Sequence, residues 1–283
     1  MVIFLNGEFL DAKSAKVSVF DQGLLRGDGL FETLRSRDGK IHFAAEHIER
    51  ISNGAQQADI EILFSTEEIE KALYSLLKKN NLSEAKLRIL VTRGAGETMD
   101  ISEKPKHSTF LMMAEGIEKN PYKIDYAKGV CAVTVPIFVH NGLFPQSIKT
   151  TSYFHNMYAK RFAKTQGAFE AILIDPQGRV VEGSTSNLFW VRNNQFFTTP
   201  LTLGPLPGIT RKFISKILQQ ENRPLLEESI SAEDLLIQDE IFISGSVTEI
   251  VGINRVNKTS IGDKTGPNTL WIAERFQNFL RTK

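Results

Sequence analysis

Apolar runs broken by polar turn dipeptides open the chain, and helical spacing follows. Residues 2–10 carry apolar segments on either side of Asn6-Gly7, the dipeptide that a two-residue type I′ turn prefers, which predicts a hairpin. Residues 30–43 repeat the arrangement around Asp38-Gly39. From 44 to 58 the period lengthens: Ile48 and Ile51 share one face, Glu46, Glu49 and Arg50 are polar, and a helix is expected. Ser65-Thr-Glu-Glu68 has capping-box spacing ahead of a periodic run that ends near Lys79. Strands are expected at 86–92 and 108–114.

The polar segment 115–123, with Gly116 and Pro121, reads as a boundary and divides the chain into domains 1–118 and 119–283. Beyond it a strand at 130–135 leads into a loop rich in Asn, Gly and Pro, then Ser147-Ile-Lys149-Thr-Thr-Ser. A helix is expected at 154–165 and a strand at 169–175, turned by Pro176-Gln-Gly178 so that Val180 begins the return. Residues 187–191 and 195–199 form a hairpin about Asn193-Asn194. A helix at 209–220, a short one near Glu233, strands at 240–244 and 249–256, and an amphipathic helix at 269–280 complete the pattern. No internal repeat or low-complexity tract interrupts it.

Composition narrows the function. The 283 residues are 41% apolar and 24% charged, ordinary globular usage that excludes collagen, long disorder and coiled-coil rods. Lys plus Arg is 34 against 33 for Asp plus Glu, with no basic stripe of the kind a phosphate backbone requires. No nucleic acid is expected, and the partner is a small molecule or another protein. Cys131 is the single cysteine, so no intramolecular disulfide forms. There is no basic leader segment and no 18-residue apolar stretch, so neither membrane span nor signal peptide is expected, and the chain reads as cytoplasmic. His42, His47, His107, His140 and His155 are scattered without metal-ligand spacing, and no metal is expected. Gly94-Ala-Gly96 lacks the third glycine and acid of a dinucleotide fingerprint, and there is no Walker loop or Gly-x-Ser-x-Gly elbow.

Four features are left. Leu206-Pro-Gly-Ile209-Thr210-Arg211 leads into a helix, where backbone N–H groups and the dipole favour an anion. Ser244-Gly245-Ser246 ends a strand and reads as a second phosphate loop or a polar turn. Lys149 precedes three small hydroxyl residues; alone it is a solvated charge. Glu182, in Val180-Val-Glu-Gly-Ser-Thr-Ser-Asn187, is alone a turn carboxylate.

Together, in the chain order Lys149, Glu182, Leu206 to Arg211 and Ser244 to Ser246, they resemble the fold-type IV pyridoxal phosphate enzymes, which include branched-chain and D-amino-acid aminotransferases and aminodeoxychorismate lyase. The strings Glu-Gly-Ser-Thr-Ser-Asn-Leu-Phe and Leu-Pro-Gly-Ile-Thr-Arg carry the resemblance. Arg26-Gly-Asp-Gly-Leu-Phe-Glu-Thr33 and Glu46-His-Ile-Glu-Arg50 extend it over the N-terminal half. The resemblance implies an α/β (α+β) two-domain fold of the D-amino-acid aminotransferase kind. Its N-terminal α/β domain is small, its C-terminal α/β pseudo-barrel larger, and its cofactor, pyridoxal 5′-phosphate, lies between them. It also implies a homodimer.

By matching position, Lys149 corresponds to the lysine that forms a Schiff base with the cofactor aldehyde, and Glu182 to the acid on the pyridine nitrogen. Ile209, Thr210, Gly245, Ser246 and Arg50 correspond to phosphate contacts, and Leu206 to an apolar residue against the ring. Phe31, Thr33 and Arg35 correspond to strand positions lining the substrate pocket. Arg35 and Arg93 compete for a substrate carboxylate. Lys160, in the following helix, is expected at the surface.

The D-amino-acid enzymes carry an Arg-x-His pair where Gly94-Ala-Gly-Glu-Thr-Met99 stands, and the branched-chain enzymes carry Gly-Gly-Asn-Tyr where Thr150-Thr-Ser-Tyr153 stands. The leading expectation is therefore an aminotransferase acting on a small amino acid, branched-chain-like, with a 2-oxo acid acceptor. A 4-amino-4-deoxychorismate lyase making 4-aminobenzoate and pyruvate is the alternative, and a catalytically silent binding protein the third.

Overall fold

A computed structural model describes residues 1–98, 100, 105–137 and 148–282. From residue 138 the Asn/Gly/Pro-rich loop, with His140 and Ser147, lies outside the described residues, as does Met99. The chain forms two compact units, Met1–Pro121 with Ile148–Tyr153, and Tyr122–Ser147 with Phe154–Lys283. A single cut between 118 and 119 would assign 148–153 to the second domain. That segment belongs to the first unit because its backbone pairs there, as described below.

The first unit contains β1 (Val2–Leu5), β2 (Glu8–Asp11), α1 (Gln22–Arg26), β3 (Gly29–Arg37), β4 (Lys40–Ile41), α2 (Ala44–Gln57), α3 (Thr66–Lys79), β5 (Ala85–Thr92) and β6 (Thr109–Gly116). The strands form a six-stranded antiparallel sheet in the order β2-β1-β6-β5-β3-β4. Asn6 and Gly7 close the first hairpin with φ of 50° and 100°, the positive pair that a type I′ turn requires. The capping box forms: Glu68 N–H donates to Ser65 Oγ at 3.2 Å and Ser65 N–H to Glu68 Oε2 at 2.8 Å. Leu30, Leu34, Leu87 and Ile89 of the sheet pack with Ile48, Ile51, Leu73 and Leu76 of α2 and α3 into one apolar core. Sequence patterning gave no sign of α1, because five residues are too few to show a helical period. It starts where Asp21 accepts the Gly23 N–H.

The second unit contains β7 (Val130–Pro136), α4 (Phe154–Thr165), β8 (Glu170–Ile174), β9 (Val180–Gly183), β10 (Asn187–Arg192), β11 (Gln195–Thr198), α5 (Ile209–Gln220), β12 (Leu226–Glu227), α6 (Ala232–Leu235), β13 (Glu240–Gly245), β14 (Glu249–Val256), β15 (Thr259–Ser260) and α7 (Pro267–Thr282). Its nine-stranded mixed sheet runs β12-β11-β10-β13-β14-β7-β8-β9, with β15 on β14.

This order forces curvature. The link from edge strand β9 to β10 is residues 184–186, which reach at most ~14 Å. Five strand spacings separate the same two strands along the ladder, ~24 Å if the sheet were flat. The sheet therefore curls into a half-barrel, filled by Leu188, Trp190, Ile241, Ile243 and Val251.

Helix α7 starts two residues before the expected 269. The buried Glu240 carboxylate accepts from the backbone N–H groups of Asn268 and Thr269 at 2.9 and 2.8 Å, and Pro267 suits the first helical position. Among the described residues no helix is long and apolar enough to cross a membrane.

Leu34 is 0% exposed in the first core. Leu34→Ala is expected to cost about 2–5 kcal/mol of unfolding free energy in urea titration, by lost transfer energy plus a cavity. A loss below about 1 kcal/mol would contradict this packing.

Candidate active site

Lys149 lies on a segment laid against the start of β3. Phe31 N–H donates to the Lys149 carbonyl at 2.9 Å, and Thr151 N–H to the Gly29 carbonyl at 2.8 Å. Thr151 Oγ1 and Ser152 Oγ both donate to the Gly27 carbonyl. This close approach explains Gly27 in Arg26-Gly-Asp-Gly29, and the neighbouring strand β5 explains Gly29. A Cβ on Gly27 would come within 2.7 Å of Ser152 Oγ, and one on Gly29 within 2.7 Å of the Val91 carbonyl.

Side chains alternate along β3, so Phe31, Thr33 and Arg35 face away from the α2 core. The Lys149 Nζ sits 4.6 Å from the centroid of the Phe31 ring and 5.0 Å from that of Tyr153. The Arg88 guanidinium, from β5, lies 4.4 Å from the same Phe31 ring. Burial pushes the Arg88 pKa down from its ordinary value. An anionic carboxylate would compensate that desolvated cation.

Glu32 faces the other side of β3 and joins the strand to α2. Arg50 grips its carboxylate with Nε at 2.6 Å and Nη2 at 2.7 Å, and His47 Nδ1 lies 2.7 Å from Oε2. Burial opposes ionisation of Glu32. The hydrogen bonds from His47 and Arg50, with the Arg50 charge, outweigh it and hold the pKa at about 2. Burial also lowers the His47 pKa despite the pull of Glu32, so the ring is neutral and its Nδ1–H donates.

In the second unit, Glu182 ends β9. Its Oε2 accepts from the Leu206 N–H at 2.9 Å and faces Asn187 Nδ2 at 3.5 Å, while Asn187 Nδ2 donates to the Leu206 carbonyl at 2.7 Å. Gly208 caps α5 and cannot carry a side chain, because a Cβ would fall 1.9 Å from Asn187 Oδ1. Ile209 and Thr210 are buried in the first turn of α5. Asn187 pairs in register with Ser244, so Glu182, Leu206, Gly208 and the Ser244-Gly245-Ser246 turn gather at one end of the half-barrel.

The 184–186 hydroxyls face inward. The Glu170 carboxylate, 1% exposed, accepts from Ser184 Oγ, from Thr185 Oγ1 at 3.0 Å and from Ser186 Oγ at 3.0 Å, with Lys160 Nζ 3.3 Å away. Lys160 also donates to the Phe169 carbonyl at 2.5 Å, so it is an internal ion-pair partner rather than the expected surface charge.

Within the first unit, the structure brings Lys149, Phe31 and Arg88 together, with Thr33 the β-ladder partner of Arg88. Two expected arginines are engaged elsewhere. Arg35 is buried and donates to the Lys119 carbonyl at 2.5 Å. Arg93 donates to Asp28 from Nε at 2.6 Å and Nη2 at 3.2 Å, and to the Ala58 and Asp59 carbonyls. Arg93 lines a cavity of about 800 Å³ with Gln56, Asp59 and Lys106, and Lys149 takes no part in it. Arg88, Asn187 and Glu170 were not singled out in the sequence. The available signal for Arg88 was a cation at an alternating position of β5, on the face that Phe31 shares.

A family model for amino-transferase class IV matches residues 29–256. A provisionally named branched-chain-amino-acid aminotransferase of Methanocaldococcus jannaschii is 37% identical, over 100% of this chain and 97% of its own. A D-alanine aminotransferase of Staphylococcus haemolyticus is 31% identical over 99% and 98%. The branched-chain amino acid aminotransferase of Escherichia coli superposes with a TM-score of 0.92 at 27% identity, covering 99% of this chain and 94% of that one. A provisionally named 4-amino-4-deoxychorismate lyase of Legionella pneumophila shares the fold, with a TM-score of 0.83 at 24% identity over 95% and 97%. The chain belongs to the class IV aminotransferase family and is an enzyme of that family.

Because the Glu32 pKa is lowered to about 2 from 4.5, its contribution to stability is complete above about pH 4.5 and is lost as pH falls towards 2. Glu32→Gln is expected to lower the melting temperature at pH 7 and to flatten its fall between pH 4.5 and 2. Parallel acid limbs for the two proteins would contradict this role.

Proposed function

We propose that the chain is a pyridoxal 5′-phosphate-dependent aminotransferase of small, branched-chain-like amino acids, with a 2-oxo acid as acceptor. The observation that carries the reading is the Lys149 amine and the Arg88 guanidinium over one aromatic ring. An amino acid offers a carboxylate and a reacting α-carbon a bond apart, and the Phe31 ring has a cation 4.4 Å and an amine 4.6 Å from its centroid to meet them.

The residues fit the cofactor. Lys149 supplies the amine for its aldehyde. Glu182, fixed by Leu206 and Asn187, is a carboxylate for the ring nitrogen. Helix α5 starts at Ile209 and Thr210, where backbone N–H groups and the dipole favour an anion. Arg50, Ile209, Thr210, Gly245 and Ser246 would hold the phosphate, and Leu206 the ring face. When bound, the cofactor supplies an electron-accepting ring.

Lys149 Nζ would move the proton between the substrate α-carbon and the cofactor. Glu182 holds a proton on the ring nitrogen, Arg88 the substrate carboxylate, and Phe31 and Thr33 border the side chain. Glu32 orients Arg50 from behind.

A cytoplasmic homodimer suits the surface. Phe154, Met157, Tyr158 and Phe162 are exposed along one face of α4, the first and third at 68% and 63%, an apolar stripe that a second copy would cover. Replacing Phe154→Glu and Tyr158→Glu together is expected to halve the mass seen in sedimentation equilibrium. An unchanged mass would contradict α4 as the seat of the dimer.

Lys149→Ala is expected to reduce amino-group transfer from branched-chain amino acids to a 2-oxo acid by about 10²–10⁴-fold or more. Arg88→Leu is expected to raise KM by about ten- to a hundred-fold, the worth of a charge-assisted contact. Retained transfer in the Lys149 variant would overturn the assignment. Repeated pyruvate release from 4-amino-4-deoxychorismate without an oxo acid would favour the lyase instead.

A further inference from the structure

We infer that Gln277 of α7 and Glu249 of β14 form a clamp that shapes the 246–248 turn and so sets the preference for a phosphorylated over an unphosphorylated aldehyde. The inference rests on the assignment of that turn to the cofactor phosphate.

Gly245 pairs in register with Glu249, so three residues close the hairpin between β13 and β14. The return depends on Glu249, whose φ is 58°, the left-handed region where a Cβ crowds the backbone and glycine or asparagine ordinarily sits. Its side chain is not idle. The buried carboxylate accepts a hydrogen bond from Gln277 Nε2. Gln277 projects from a helix anchored by buried Ile272, Phe276 and Leu280, so the acceptor is tied to a rigid support. The preceding residue is steadied too: the Thr248 carbonyl lies 3.5 Å from the Tyr126 hydroxyl that donates to it. At the entry of the turn, a Cβ on Gly245 would meet Thr248 Oγ1 at 3.0 Å, which leaves little slack.

A strained position held by a buried side chain is over-determined, and such positions persist where the backbone must present its groups in one arrangement. The ring-nitrogen partner Glu182 and the ring-facing Leu206 are held by Asn187 instead. Releasing the Gln277 contact therefore loosens phosphate recognition while sparing recognition of the ring.

The test titrates the cofactor-stripped full-length chain with pyridoxal 5′-phosphate and, separately, with pyridoxal. In Gln277→Leu the Kd for the phosphorylated aldehyde is expected to rise about five- to ten-fold, the upper worth of one lost hydrogen bond. The Kd for pyridoxal is expected to stay within about two-fold on the same reasoning. Glu249→Gln keeps an acceptor oxygen and is expected to stay near wild type. The ³¹P resonance of the bound phosphate is expected to move in Gln277→Leu alone. An unchanged ratio of the two affinities in that variant overturns the clamp. Gln277→Asn, one methylene shorter, gives the same reading if the leucine variant is not recovered. A wild-type chain without preference between the aldehydes overturns the phosphate assignment itself, and one that binds neither overturns the cofactor reading.

Discussion

Two main-chain hydrogen bonds, from Phe31 to the Lys149 carbonyl and from Thr151 to the Gly29 carbonyl, decide where the Lys149 amine stands. They make the 148–153 segment an added rung on β3, so Lys149 inherits the rigidity of a strand rather than the freedom of a loop. Gly27 serves this contact, since a side chain there would meet Ser152, whereas one at Gly29 would meet the Val91 carbonyl of β5. The placement of the amine over Phe31, the ring that Arg88 also approaches, follows from the added rung.

Carboxylates, buried at Glu32, Glu170 and Glu240 and half-buried at Glu182, organise the polar loops that the apolar cores cannot. Glu32 ties α2 to β3, Glu170 gathers three hydroxyls under the β9–β10 link, Glu182 binds the Leu206 backbone, and Glu240 starts α7. Each takes several donors, which removes the cost of burying an unpaired charge and leaves the loop one conformation to occupy. The hydroxyls of residues 184–186 are all committed to Glu170 in this way.

Much of this was legible before any coordinates. Asn6-Gly7, Ser65-Thr-Glu-Glu68 and the period of 209–220 each have a local physical cause, and each formed. The helices α4 and α5 keep their expected bounds. The strings around Lys149, Glu182 and Pro207-Gly208 marked the family because their spacing serves one chemistry. What stayed hidden depends on long-range geometry. Arg35, Arg88 and Arg93 are equally plausible carboxylate traps in one dimension. Only the pairing of β3 with β5 shows that Arg88 shares a face with Phe31, that Arg35 serves the Lys119 carbonyl and that Arg93 serves Asp28. The curl of the second sheet was invisible for the same reason, since a three-residue link constrains nothing until the strand order is known.

The most direct measurement is chemical. The chain, loaded with pyridoxal 5′-phosphate, is reduced with borohydride, digested, and its peptides weighed. The account predicts one stable adduct of the phosphopyridoxyl group, on the peptide that contains Lys149. An unmodified Lys149 peptide from fully loaded protein, or a label on Lys160 instead, would contradict it.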